Sequence, residues 1–390
     1  MAGKKKSVRK IFRSYDYYDY NLLAVIVLLT AFGLVILYST SCYTAQIVQK
    51  DDMYFLKRQG LFAVAAIIMM ILVSLVDYHK LMYLAFVIYA MALVLMIAVK
   101  YSPLGATING ARRWLKIPGT GMTIQPSEIA KIAVIIFISL LIVKMGRRYR
   151  GVKPVILTMA FGIVQAGITY YCTDNLSTAI IIFMITAAIV FVAHPKTVPF
   201  LVLIGIGVLF IVAFILYVPH LAAGDSFRIQ RVLVWLNPEQ YSDSGGYQIM
   251  QALYALGSGG LFGKGLGNST QKLGSLPEAQ NDMIFSIVCE ELGVFGGLLL
   301  LLLFGFLLYR LFFIAQNAPD LFGSLMVTGI FSHVALQVIL NICVVCNVIP
   351  TTGVTLPFVS YGGTSLFFLM AEMAIALSVS HQIKFKQDAV

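Results

Sequence analysis

Ten stretches of this 390-residue chain are apolar for the length a bilayer crossing needs, and that repetition limits its fold more than any motif does. They fall at about 21–41, 60–77, 80–99, 126–144, 153–173, 175–193, 197–217, 283–309, 322–346 and 361–381. A helix crosses the hydrocarbon core in roughly 20 residues. Composition agrees: 59% of residues are hydrophobic, 12% are charged, and the mean hydropathy is +0.89. A soluble domain of this size has too little interior to hide that much apolar surface. The length of the runs excludes a β-barrel, whose strands would read as short alternating segments. The expected fold is an all-α integral membrane protein with ten transmembrane helices. Residues 1–390 form one polytopic domain, with a basic lead at 1–20 and two long connections at 100–125 and 218–282.

Lysine and arginine set the orientation. With the N-terminus inside, the inner segments hold sixteen cations and the outer ones eleven, so the positive-inside bias favours N-in and C-in. The first span follows a basic lead without a small-residue cleavage site and is expected to be retained. The lead itself suits topology and anionic membrane lipids, not nucleic acid. The outer cations cluster in GARRWLK, FRIQR, GKG and TQK. Such clusters suit a phosphate-bearing substrate at that face, and loop solubility accounts for them equally well.

Three segments assigned to the outer face are irregular: 100–125, 218–282 and the stretch NVIPTTGVTLPFVSYGGTS. In the 218–282 connection, FRIQRVLVWL reads as an amphipathic basic-aromatic helix on the membrane surface. GYQIMQALYALGSGG follows as a helix ended by glycines, and NVIPTTGVTLPFVSYGGTS mixes Pro, Gly and Thr where a helix cannot continue easily. Irregular backbone near lipid is tolerated where protein covers it or where it lines a wet cavity, so a shared outward cavity is expected.

Few residues here can do chemistry. GSGGLFGKGLGNSTQK fails the phosphate-loop test, since Ser258 stands at the first glycine position and Gly265 where Ser or Thr is needed. Lys264 could still reach a phosphate, although a plain turn is the simpler reading. Pro126 suits the first turn of span four, and Glu128 and Lys131 share one helix face about a turn inside the membrane. An ionisable pair there is costly unless paired or facing water. It reads as a self-neutralising packing pair or, with more weight, as a cavity-lining pair whose lysine meets an anionic substrate.

In SLPEAQNDMIF, Glu278 and Asp282 sit at the very edge of span eight. Asp282 suits a helix N-cap, which would lower its pKa, whereas burial beside lipid would raise it. The five cysteines, including the Cys343/Cys346 pair, and the five histidines lack ligand spacing, and no metal site is assigned to them.

NGARRWLKI, QPSEIAKIAV, NLSTAII, the stretch from GYQIMQALYALGSGG through PEAQNDMIF to EELG, and PTTGVTLPFVSYGGTSL carry a resemblance. Together, in order and over nearly the whole chain, they resemble the SEDS family of shape, elongation, division and sporulation proteins, which includes FtsW, RodA and SpoVE. NLSTAII and GLGNSTQKLGSLPEAQND look more like the FtsW and SpoVE branch. The resemblance implies a peptidoglycan glycosyltransferase of the bacterial cytoplasmic membrane that polymerises lipid II onto lipid-linked glycan. It implies a class B penicillin-binding protein as partner, along with divisome proteins.

It also implies that Asp282 is the essential aspartate, that Glu128 and Lys131 are the span-four pair, and that Arg113 and Trp114 are the first-loop pair. Ser360, in the last motif, joins Glu278 and Lys264 among residues expected to meet substrate. Gln280 and Asn281 depart from the family pattern before the aspartate, and Asp174-Asn175-Leu176-Ser177 departs from the usual Pro-Asp-Leu-Gly form.

Pyrophosphate leaves without protonation, so one base plus positive charge suffices where a glycosidase needs two carboxylates. Asp282 is the expected base toward a sugar 4-hydroxyl. Lys131, Arg113, Lys264 or a bound divalent cation (Mg or Mn) would receive the phosphates. Lipid II transport is the alternative function, with RodA-type elongation the alternative role. Transport is disfavoured because intramembrane charges other than helix caps are expected to crowd toward the outer face.

Overall fold

The computed structural model describes residues 14–108, 110–119, 122–217 and 227–386. The cation-rich lead and the start of the long connection, 218–226, lie outside the described residues.

Each of the ten expected spans is a helix long and apolar enough to cross a membrane. They are α1 (Tyr20–Gln49), α2 (Tyr54–Ser74), α3 (Lys80–Tyr101), α4 (Pro126–Met145), α5 (Val152–Thr173) and α6 (Leu176–Ala193). Then come α7 (Val198–Tyr217), α10 (Ile284–Asn317), α11 (Leu321–Val345) and α12 (Gly363–His381). Between α7 and α10 lie the two short helices read from the sequence, α8 (Phe227–Leu236) and α9 (Gly246–Ser258).

Local chemistry sets the helix ends. Asp19, Asn175 and Asp320 accept from the backbone N–H three residues on, at 2.9, 3.1 and 2.7 Å, and so cap α1, α6 and α11. Pro126 takes the first turn of α4, where its missing N–H costs nothing. Asp19 is also fully buried against Arg310 of α10 at 2.7 Å, tying two distant helix ends together. Beside them β1 (Ser14–Asp16) pairs antiparallel with β5 (Lys384–Lys386), so both ends of the described chain lie on one side of the bundle.

Helix α4 runs through the core, packed against α3, α5, α6 and α11. Gly329 of α11 lets that helix approach closely, since a Cβ there would stand 2.9–3.0 Å from Ile189 and Ile135. Helix α7 differs from the rest: its apolar side chains are exposed along nearly its whole length, with Phe200 resting on Phe191 and His194 at its start.

Two features depart from the sequence reading. The 100–125 connection, expected as a loop, carries an antiparallel sheet of β2 (Gly105–Ile108), β3 (Ala111–Lys116) and β4 (Thr123–Ile124). Arg112 anchors it by donating to the carbonyls of Val99 and Ser102, both at 2.8 Å, which closes the end of α3. Helix α10 is also broken, at Gly293 (φ +68°). There the loop after α9 runs alongside the helix. Lys264 and Gly265 N–H donate to the carbonyls of Glu290 and Glu291, and Val294 and Phe295 N–H donate to those of Gly260 and Leu261. A Cβ on Gly293 would lie 2.4 Å from backbone, and one on Gly263 (φ +78°) 2.2 Å, so only glycine fits this crossing.

Candidate active site

Asp282 sits two residues before α10, on a loop held from three sides. Tyr361 N–H donates to the carbonyl of Gln280 at 2.9 Å, Ser360 Oγ to that of Asn281 at 2.6 Å, and Asn341 Nδ2 to that of Asp282 at 2.7 Å. Three successive carbonyls are thus satisfied by the outlet of α11 and the inlet of α12. Glu278 opens the turn in the left-handed region (φ +55°) and accepts from Asn281 Nδ2.

The loop's rigidity leaves the carboxylate unspent. Asp282 Oδ1 is buried and has no hydrogen-bond partner among the described residues. Met283, which makes no side-chain bond, is the N-cap of α10, so capping is not what Asp282 does. Burial pushes its carboxyl up to about 7; the Glu278 charge adds to the rise, while its own backbone N–H and Arg231 oppose it.

Arg231 comes from α8. It donates to the carbonyl of Thr351 at 3.1 Å, and Trp235 Nε1, one turn on, donates to that of Asn347 at 3.0 Å. These two bonds dock the amphipathic helix onto the irregular segment between α11 and α12. Burial holds the guanidinium of Arg231 below its usual range, with Asp282 pulling it back up. Arg113 of β3 donates to the carbonyl of Thr173 at 3.3 Å and is lowered by burial and then by the charge of Arg231. Arg228 stacks 4.9 Å over the ring of Tyr170. The three irregular segments therefore converge on one face, with an aspartate and three arginines among them.

The other expected site residues are placed as follows. Trp114 is half-buried on β3 beside Arg113, and Ser360 is buried, acting on the Asp282 loop. Glu128 and Lys131 do form an ion pair, at 2.9 Å, but the lysine is 2% exposed, so it is enclosed by the bundle instead of facing a cavity. Lys264 is engaged by Glu290 at 2.7 Å.

Sequence reasoning gave no role to the network that holds Lys264. Glu290 also accepts from Thr270 N–H and Oγ1 at 3.1 and 3.0 Å and from Ser269 Oγ. Glu291 accepts from Lys272 Nζ at 2.8 Å and Ser39 Oγ at 2.7 Å. Both glutamates are fully buried inside a span, a cost that could have flagged them in EELG. A cavity of about 730 Å³ opens beside this network between α1, α2 and residues 266–273, and Asp282 is not in its lining.

The expected crowding of intramembrane charge at one face also needs correction. His333 Nδ1 and Glu372 Oε2 meet at 2.7 Å midway along α11 and α12, each residue 1% exposed.

The chain is similar to known proteins over nearly its whole length. Residues 19–385 match the family model for the FtsW, RodA and SpoVE cell cycle proteins. Stage V sporulation protein E of Bacillus subtilis is 38% identical over 372 residues, covering 94% of this chain and 98% of its own. The probable peptidoglycan glycosyltransferase FtsW of the same organism is 35% identical, covering 98% and 94%. Among solved structures, a chain from a peptidoglycan synthase complex that coordinates polymerization and crosslinking superposes with a TM-score of 0.75 at 27% identity, covering 93% of this chain and 97% of that one. Thermus thermophilus RodA superposes at 0.63 with 25% identity, covering 93% and 96%. The chain is a multi-pass protein of the bacterial cytoplasmic membrane and belongs to the FtsW/RodA/SpoVE family.

Proposed function

We propose that this protein is a peptidoglycan glycosyltransferase that polymerises lipid II at the outer face of the membrane, with Asp282 as general base. The observation that carries this reading is the state of that carboxylate: on a half-buried residue, with Oδ1 buried and without a hydrogen-bond partner among the described residues, raised to about 7, and within electrostatic reach of Arg231. A base poised near neutrality is what proton abstraction from a hydroxyl at pH 7 calls for.

In the proposed step Asp282 takes the proton from the acceptor sugar's 4-hydroxyl. The oxygen forms a bond to the donor's anomeric carbon from the face opposite the phosphate. The carbon–oxygen bond to the pyrophosphate breaks with its electron pair on the leaving group. Arg231 and Arg113 receive that charge, a role in which fixed cations in a water-poor site are effective. Arg231 thereby takes over the part first expected of Lys131 and Lys264, both of which hold carboxylate partners.

A divalent cation fits the same place. Asp282 and Glu278 offer two carboxylates near the arginines, and Mg commonly binds one or two carboxylates together with substrate phosphates. Such an ion would neutralise the leaving group, and chelation that leaves polymerisation unchanged would exclude it. The class B penicillin-binding protein partner and the N-in, C-in orientation belong to the same proposal. Support comes from the synthase complex to which the chain is similar and from the bias of cations. Transport is disfavoured by the burial of His333 and Glu372, each 1% exposed, which leaves this midway pair off any water-accessible path among the described residues.

The test is purified protein with its partner, given labelled lipid II. The wild type should make long glycan, and Asp282→Asn should make none while melting at the same temperature. Polymer from the variant would remove Asp282 from the role of base.

A further inference from the structure

His333 and Glu372 are a hydrogen-bonded ionisable pair buried midway through the membrane helices, and nothing in the proposed chemistry uses them. Such a pair gives little net stability. Replacing both partners by well-packed apolar groups is often neutral or stabilising, whereas removing one leaves an orphan. Its value lies in specificity, because a short directional bond between two helices allows one register where an apolar seam allows several.

The two helices it joins are the two that hold the Asp282 loop. Eight residues along α11 from His333, about 12 Å at 1.5 Å per residue, stands Asn341, the donor to the Asp282 carbonyl. Nine residues back along α12 from Glu372, about 13 Å, the helix opens at Gly363, next to the Ser360 and Tyr361 donors to Asn281 and Gln280. The pair and the clamp are thus two rungs on one pair of rails. A slide of α12 along α11 would carry two of the three clamped carbonyls away from the third and turn the Asp282 carboxylate.

We propose that His333 and Glu372 are positioning residues: their bond fixes the register of α11 against α12 and thereby aims Asp282. This rests on the reading of Asp282 as the base.

The full chain with its partner is used for the test. His333→Leu/Glu372→Leu removes both polar groups at once and leaves no orphan. It is expected to melt at or above the wild-type temperature while kcat for lipid II polymerisation falls about tenfold or more, with KM unchanged. His333→Asn/Glu372→Gln keeps a neutral hydrogen bond across the seam and should recover most of the rate. If the leucine chain does not fold, His333→Asn alone, which keeps a donor toward Glu372, replaces it and should hold wild-type kcat; a tenfold loss in that folded variant overturns the proposal.

A second readout needs no catalysis. Spin labels at Val348 and Phe367, both exposed, should give one narrow distance distribution in the wild type and a broad or shifted one in the leucine chain. A folded leucine chain with wild-type kcat and an unchanged distribution overturns the proposal, as does an Asn/Gln chain as slow as the leucine chain. A wild-type chain that makes no polymer overturns the enzymatic reading instead, and the spin-label distances then decide the register lock by themselves.

Discussion

Asn341 donates from one amide nitrogen to the carbonyls of both Asp282 and Val354, at 2.7 and 2.8 Å. A single side chain on α11 thus supports two irregular segments that have no helix of their own to satisfy their backbone. Asn341→Ala leaves both carbonyls without that donor, at about 1–3 kcal/mol for a buried group left unpaired. Thermal melting should fall accordingly, and polymerisation should fall further than stability does because the freed backbone carries Asp282. Ser360→Ala should act the same way through Asn281.

The pH profile of polymerisation should have its acid limb near 7, well above an ordinary aspartate. The sign follows from the causes. Burial raises the carboxyl, so the base is protonated and inactive below about 7, and kcat/KM should drop close to tenfold per pH unit there. Glu278→Gln removes a charge that raises Asp282, which moves the limb to lower pH. Arg231→Gln removes a charge that lowers it, which moves the limb to higher pH and also weakens hold on the leaving group. Rates measured from pH 5 to about 9 on the three chains would check the order.

Lys272 and Glu291 are 4% and 0% exposed at the side chain, with 2.8 Å between their charges. Lys272→Met strands a buried carboxylate, which costs about 3–5 kcal/mol. Lys272→Met/Glu291→Leu should recover most of that loss. A single variant as stable as the wild type would mean that the site takes up water or a proton at little cost.

Gly293→Ala forces a Cβ to within 2.4 Å of the Gly263 and Leu261 backbone at a positive φ. Either strain alone costs on the order of 1–3 kcal/mol. The substitution should lower the melting temperature and part the α9–α10 loop from the helix. Ala at Gly305, in the second half of the same helix with open space around it, should be neutral or mildly stabilising and serves as the control.

The spans were legible because hydropathy is local, and all ten helices lie where the apolar runs do. Asp282 was legible through the cost of a charge at a membrane edge. Arg231 was seen only as one of a cluster, since its relation to Asp282 depends on α8 docking against Asn347 and Thr351, more than a hundred residues on. Lys264 was matched to a phosphate because its partner, Glu290, lies 26 residues away across a helix break that only Gly293 hints at. The Ser39–Glu291 and His333–Glu372 bonds span 252 and 39 residues. No local pattern pairs such residues; only the packing of the bundle does.

A connection as long as the one before α10 would ordinarily be the softest part of such a protein. Here its later half is laced to a broken helix by four backbone bonds and to two glutamates by lysines, hydroxyls and amides. Amide hydrogen exchange along it should consequently run against intuition. Lys264, Gly265, Ser269 and Thr270 should hold their deuterium as stubbornly as core residues, so the segment behaves as part of the scaffold on which the chemistry rests.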